Sequence, residues 1–271
     1  MQFGKPPIIE LIAELRWGAP AIVLPPGGTG SMSLAPITAS TRHEELFMRF
    51  GAKVASEGYG RFERVVPAGF PLMSFQPVYR YRKSTPEEGT TLYQLGVGLF
   101  SANITPPYQS WEAFRPIVEK GVAMLLECRD EAERASPFVM ASVRYIDAFK
   151  ADLTQGRTTV AFLSETLGFA VKLPAAIESQ TDPSAPIKPV LQFSIPLKSG
   201  LVMNVNAGEG VVDGQEAVIT DTSVLTPQAV AANLSAVMAA FDSAHDVIRA
   251  TFLGITQKIA HLMEPKDGDT K

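Results

Sequence analysis

A chain of 271 residues, 46% hydrophobic and 19% charged, carries ample apolar material for a packed core and lacks the charge excess of a disordered chain. Its net charge of −4 supplies no general attraction to nucleic acid or anionic lipid. Its single cysteine, Cys128, excludes an internal disulfide and a cysteine-based metal cluster and fits a reducing compartment. The opening residues, Met1 to Pro7, show no basic-then-apolar leader plan, and no apolar run is long enough to cross a bilayer. A cytoplasmic protein with no membrane contact is therefore expected.

Residues Ile8 to Trp17 alternate, with Ile9, Leu11, Ala13, Leu15 and Trp17 on one face and Glu10, Glu14 and Arg16 on the other, which predicts a half-buried strand. The same residues also fit a helical stripe. Gly18 to Ser40, rich in Pro, Gly, Ser and Thr, reads as a long surface loop. Ser40 or Thr41 then caps a helix with the apolar face Leu46, Phe47, Phe50 and Val54, ending by Gly58. Strands are expected at Gly60 to Pro67, Ser74 to Lys83 and Thr91 to Ile104. In the last of these Gly96 and Gly98 share a face with Gln94, the pattern of a bulge or of close backbone approach. Ser110 caps a second helix whose stripe is Trp111, Phe114, Val118, Val122 and Leu125.

Beyond the charged segment Arg129 to Arg134 a strand is expected at Phe138 to Phe149 and a helix near Val160 to Leu167, followed by a loop from Leu173 to Lys188. Three strands follow at Pro189 to Leu197, Leu201 to Asn206 and Glu216 to Thr222. Thr226 and Pro227 carry the residue types that start a helix, and Val230, Leu234, Val237, Phe241, Ile248 and Phe252 give it a stripe. Gly254 breaks that helix, Thr256 restarts a short one, and the tail from Glu264 to Lys271 is expected to be disordered.

The order β-α-β-β-β-α thus occurs twice, over 1–130 and 137–263, with a seam between Arg129 and Pro137. The opening strands echo each other in Leu15-Arg16-Trp17 and Val143-Arg144-Tyr145. One fused α+β body is expected, its two related halves forming a curved antiparallel sheet with helices packed on one side. The other side would be a groove open to a ligand.

Several residues together carry a resemblance: Pro6-Pro7-Ile8-Ile9-Glu10, Glu14-Leu15-Arg16-Trp17, Tyr93-Gln94, Asn103-Ile104-Thr105-Pro106-Pro107-Tyr108 with Trp111 and Phe114, Arg144-Tyr145-Ile146, and His245 with Phe252 and Ile255-Thr256. In these the chain resembles a sporadically distributed family of uncharacterised bacterial proteins of about this length. Asp147 departs from the pattern, which leads one to expect Asn after Arg-Tyr-Ile. The resemblance implies no catalytic residue. Its scattered distribution implies genes that move between genomes, as toxin-neutralising and phage-defence genes do.

No catalytic motif stands out. His43, His245 and His261 are far apart, with no metal-ligand spacing, and no nucleophile elbow is present. An arginine neighbour can lower a thiol pKa, but a lone cysteine such as Cys128 is more often inert. Gly27-Gly28-Thr29-Gly30-Ser31 lacks the lysine and helix of a phosphate loop. Glu10 and Glu14 share a strand face roughly 13 Å apart, too far for a dyad, and Glu14 with Arg16 makes a salt-bridged patch. Tyr79 and Tyr81 face away from Arg80 and Arg82 along a strand, so a stacking platform and phosphate contacts point apart, which argues against nucleic acid.

The expectation is therefore a non-enzymatic protein without a cofactor that docks a protein partner. The alternative is a small anionic ligand held in the groove. The residues for either are Arg16, Trp17, Gln94, Asn103, Arg144, Tyr145 and His245, although Trp17 and Tyr145 read more readily as core residues and the arginines as bonded to helix ends or to carboxylates such as Asp147. An enzyme or nuclease built on Glu14, Asp147 and His245 is a weaker alternative.

Overall fold

The computed structural model describes residues 2–18, 22–23, 33–34, 41–85, 87 and 89–266. The Gly27–Ser31 segment, Ser40, most of the expected long loop and the tail from 267 onward lie outside the described residues.

The principal elements are β1 (Ile8–Trp17), α1 (Thr41–Ser56), β2 (Arg61–Arg64), β3 (Pro77–Arg82), β4 (Thr91–Gly96), β5 (Leu99–Ile104), α2 (Trp111–Cys128), β6 (Phe138–Phe149), β7 (Leu191–Pro196), β8 (Val202–Val212), β9 (Gln215–Leu225) and α3 (Leu234–Ile255). The nine strands form one sheet in the order β7-β8-β9-β6-β1-β5-β4-β3-β2. The α+β class with a large antiparallel sheet is as expected. The chain divides into two compact units: Leu11–Val143 with Leu225–Ala244, and Met1–Glu10 with Arg144–Val224 and His245–Lys271. Their boundaries fall inside β1, β6 and α3 and near the end of β9.

In the Leu11–Val143 unit, α1 and α2 cover one sheet face. Phe50 meets the rings of Tyr81, Tyr93 and Phe100 at 5.4, 5.9 and 5.8 Å, and all four side chains are buried. Each such aromatic contributes about 1.5–3 kcal/mol by leaving water. The two phenols are satisfied by helix carbonyls, Tyr81 Oη donating to Phe47 O at 2.8 Å and Tyr93 Oη to Ile117 O at 2.7 Å. Ser110 caps α2 as its sequence position indicates, accepting from Ala113 N.

In the other unit, Phe149, Leu153, Phe162, Leu163, Leu167, Val218, Ile259 and Met263 form a core. The segment expected as a helix near Val160 to Leu167 is a short α-helix, Thr159–Ala161, running into a π turn, Phe162–Thr166.

Two expectations are corrected. The strand expected from Thr91 to Ile104 is the hairpin β4–β5, because Val97-Gly98 makes a two-residue turn with Gly98 at φ 68°, and Gly96 pairs with Leu99. The stretch after α1 therefore holds four strands where three were expected. Nor does the last helix start at Thr226. Thr226 Oγ1 accepts from Ala141 N at 3.0 Å, and Val230 exchanges both backbone hydrogen bonds with Phe138, so this segment extends the ladder beside β6. Asn233 begins α3 instead, its side chain accepting from Ala236 N at 2.9 Å.

Candidate functional site

Strand alternation puts the polar residues of the Leu11–Val143 unit on the sheet face opposite its two helices. Across β1, β5, β4 and β3 they form a row: Glu14 opposite Ser101, Ser101 opposite Gln94, and Gln94 opposite Arg80. A parallel row runs Ile12, Asn103, Leu92 and Arg82. Arg16, Gln94 and Asn103 lie on this sheet face, Asn103 buried.

Most of these groups bind one another. Arg16 Nε donates to Glu14 Oε1 at 2.7 Å, and its guanidinium lies 5.3 Å from the centre of the Phe75 ring. Ser101 Oγ donates to Asn103 Oδ1 at 2.7 Å with both residues buried. Arg80 Nε donates to Gln94 Oε1 at 3.3 Å. The expected salt-bridged Glu14–Arg16 patch is present, made through Arg16 Nε. On the helix side, Tyr79 and Tyr81 pack against Phe47 and Phe50, so the tyrosines and arginines of β3 do point apart.

Trp17 is a core residue. Its ring meets Phe138 edge-on at 6.1 Å, and the guanidinium of Arg129 lies over both rings, at 5.6 and 4.8 Å from their centres. Arg129 is fully buried. Its Nη2 donates to Ser136 O at 3.0 Å, while Nε and Nη1 have no hydrogen-bond partner among the described residues. Burial lowers its pKa. Cation–π contact offsets part of the desolvation of this charge. Arg129→Met, which keeps the slot filled without a charge, is expected to unfold at a denaturant midpoint no lower than that of the native chain, and Arg129→Ala at a clearly lower one. Sequence reading placed Arg129 in a charged segment, because nothing local reveals the two rings over which its guanidinium lies.

The other unit holds the remaining candidates. Arg144 makes a bidentate pair with Asp221, with both contacts at 2.6 Å. Its carboxylate is thus not the expected Asp147, which alternation puts on the opposite face of β6. Tyr145 Oη and His245 Nδ1 are 2.9 Å apart. Asp147 shares the Tyr145 and Phe149 face and is buried, which pushes its carboxyl up to about 7. Of the Glu14, Asp147 and His245 set, Glu14 belongs to the Leu11–Val143 unit, where Arg16 occupies it, and the other two belong to the second unit. Burial raises the Cys128 thiol pKa, in line with the inert reading. Among the described residues, no group of three His, Cys, Asp or Glu is placed to hold a metal ion, and no helix is long and apolar enough to cross a membrane.

An exposed apolar strip lies at one end of the sheet order. β7 takes β8 as its neighbour on one side, and among the described residues no strand pairs with its outer edge. Leu191, Phe193 and Ile195 share a face with their register partners Ala207, Val205 and Met203. The β8 residues of this face are buried, whereas Phe193 and Ile195 are 39% and 40% exposed and the adjoining Val190 is 85% exposed. β7 has the sequence LQFSIP, without a charge. At the other end of the sheet order, β2 reads RFER, with the charges that keep an edge from pairing. Sequence reading found the β7 strand but could not tell that it lies at an edge, since neighbours are set by pairing across the fold.

The fold is thus α+β, with a polar sheet face on which Arg16, Arg80 and Asn103 are bonded to neighbours and one uncharged apolar edge. No protein-family model, curated protein or solved structure matches the chain.

Proposed function

We propose that this chain is a binding protein that docks a partner by strand addition at β7. The observation that supports the reading is the uncharged edge with its exposed Phe193 and Ile195. Unpaired N–H and C=O groups along such an edge bond to an incoming strand, and alternate side chains give specificity. The occupant is an extended partner segment with apolar residues at alternate positions. Those residues would continue the apolar face that runs from Met203 and Val205 on β8 to Ile195 and Phe193 on β7. A toxin or defence component is the partner class to try first.

The test compares the tagged native chain with a Phe193→Lys/Ile195→Lys variant in capture from the native host. Phe193 is 39% exposed and its ring stacks on that of Phe169 at 5.8 Å, so the double variant should lose about 1–2 kcal/mol of stability and still fold, which its denaturant midpoint checks. The native chain should retain a stoichiometric protein that slows hydrogen exchange at the β7 amides. The variant should bind it at least tenfold more weakly (about 1.4 kcal/mol). Undiminished capture by the variant, or purification of the native chain bare, rules the reading out. A concentration-dependent dimer lost in the variant would replace the foreign partner with a second copy.

A further inference from the structure

Arg61 and Arg82 stand directly opposite each other where β2 pairs with β3, so their side chains leave the same face of the ladder. Like charges in that arrangement repel. Neither guanidinium has an ion-pair or hydrogen-bond partner among the described residues. Elsewhere in the same unit arginines are paired: Arg64 with Glu44, Arg115 with Asp242, and Arg42 and Arg49 with Asp130.

The two arginines line a cleft of about 330 Å³ together with Lys83, Thr85, Gly89, Thr90, Thr91 and Thr105. Lys83 is held at the rim, its Nζ donating to Glu57 O at 3.2 Å and lying 4.2 Å from the centre of the Tyr59 ring. An ammonium anchored to a carbonyl and a ring keeps its whole charge. Two hydroxyls are already committed, Thr90 to Thr105 O and Thr91 to Tyr59. The Glu57 carboxylate is bonded to Lys120. Thr85 bonds the carboxylate of Glu87, and Glu63 lies two residues along β2, opposite Arg80.

We propose that this cleft binds the phosphate groups of a small molecule. Two unpaired guanidinium forks and one fixed ammonium match an anion of charge −2 or more, and guanidinium binds phosphate oxygens in bidentate fashion. In a chain of net charge −4, the attraction is local to this cluster. The cleft sits at the small end of ligand pockets and suits a phosphate or diphosphate with a modest attached group. The aromatics of β3 lie on its other face, against α1, and Tyr59 beside Lys83 is buried, so neither offers an open ring for base stacking.

The probe is pyrophosphate, titrated calorimetrically into the full chain at fixed ionic strength. One site is expected. Arg61→Gln and Arg82→Gln should each weaken it about tenfold or more, the loss of one charge-assisted contact, and the double variant should abolish it. Lys53→Gln, which removes an exposed cation paired with Glu127, should change nothing. Absence of binding at millimolar pyrophosphate overturns the proposal, as does binding that survives the double variant or falls equally in Lys53→Gln. Tighter binding of a short single-stranded oligonucleotide than of pyrophosphate overturns the small-molecule assignment.

Discussion

Gly96→Ala is expected to lower the free energy of unfolding by about 3 kcal/mol or more, enough to leave the chain partly unfolded. A Cβ at Gly96 would sit 1.9 Å from Gln76 O and 2.8 Å from Gln76 C. Both are backbone atoms, so no rotamer change relieves the overlap. The clash falls where the register of β3 against β4 shifts between Pro77 and Tyr79. Relief would require pulling apart a pair whose residues Val78, Tyr81, Tyr93 and Leu95 are buried. Gly254→Ala is the contrasting control. Its Cβ meets nothing within 4 Å, it lies within α3, and alanine there should raise stability by up to about 1 kcal/mol. Denaturant midpoints of the two variants should move in opposite directions, and a Gly96→Ala midpoint within about 1 kcal/mol of the native chain would contradict the close approach.

The second large effect concerns pH. The Asp147 carboxyl is buried on the Tyr145 and Phe149 face of β6, and that burial raises its pKa from 3.8 to about 7. Below about pH 4 the folded and unfolded chains both hold the proton, and this residue costs nothing. As pH rises from about 4 to about 7 the unfolded chain loses its proton while the folded chain keeps it, so stability falls. Above about 7 both forms are ionised and the loss is complete, on the order of a few kcal/mol. Asp147→Asn removes the titrating group and keeps the shape. It is expected to flatten the stability profile between pH 4 and 8 and to make the chain more stable than its parent at pH 8, with little gain at pH 4. The Tyr145–His245 pair is present in both proteins, so the difference between the two profiles isolates the carboxyl. Parallel profiles would show that Asp147 does not carry the shift.

The same Asp147 illustrates how far sequence reasoning reaches. Its place on a predicted strand was legible in the sequence, whereas its burial was not. As a candidate partner for Arg144 it fails by simple alternation, because residues three apart on a strand point to opposite faces. The actual partner, Asp221, lies 77 positions away. Arg16 differs, because its partner Glu14 is two residues away on the same strand face, and the pairing could be read directly.

What the sequence determined by itself is periodic or local. Alternation placed β1, although a helical stripe fitted the same residues, the 3.6-residue stripes placed α1 and α2, Ser110 placed a helix start, and the glycines of β4 and the following turn marked a bulge or a close backbone approach. Thr226 and Pro227 carried helix-start chemistry and were overruled, because bonds to Ala141 and the Phe138 bridge gave that segment a better use as ladder. Tertiary structure alone decided that β7 is an uncharged edge, that Arg61 meets Arg82, and that Arg129 is enclosed by Trp17 and Phe138. Propensity and periodicity act over a few residues, whereas edges, clefts and ion pairs depend on which distant strands become neighbours, and no short stretch of sequence encodes that.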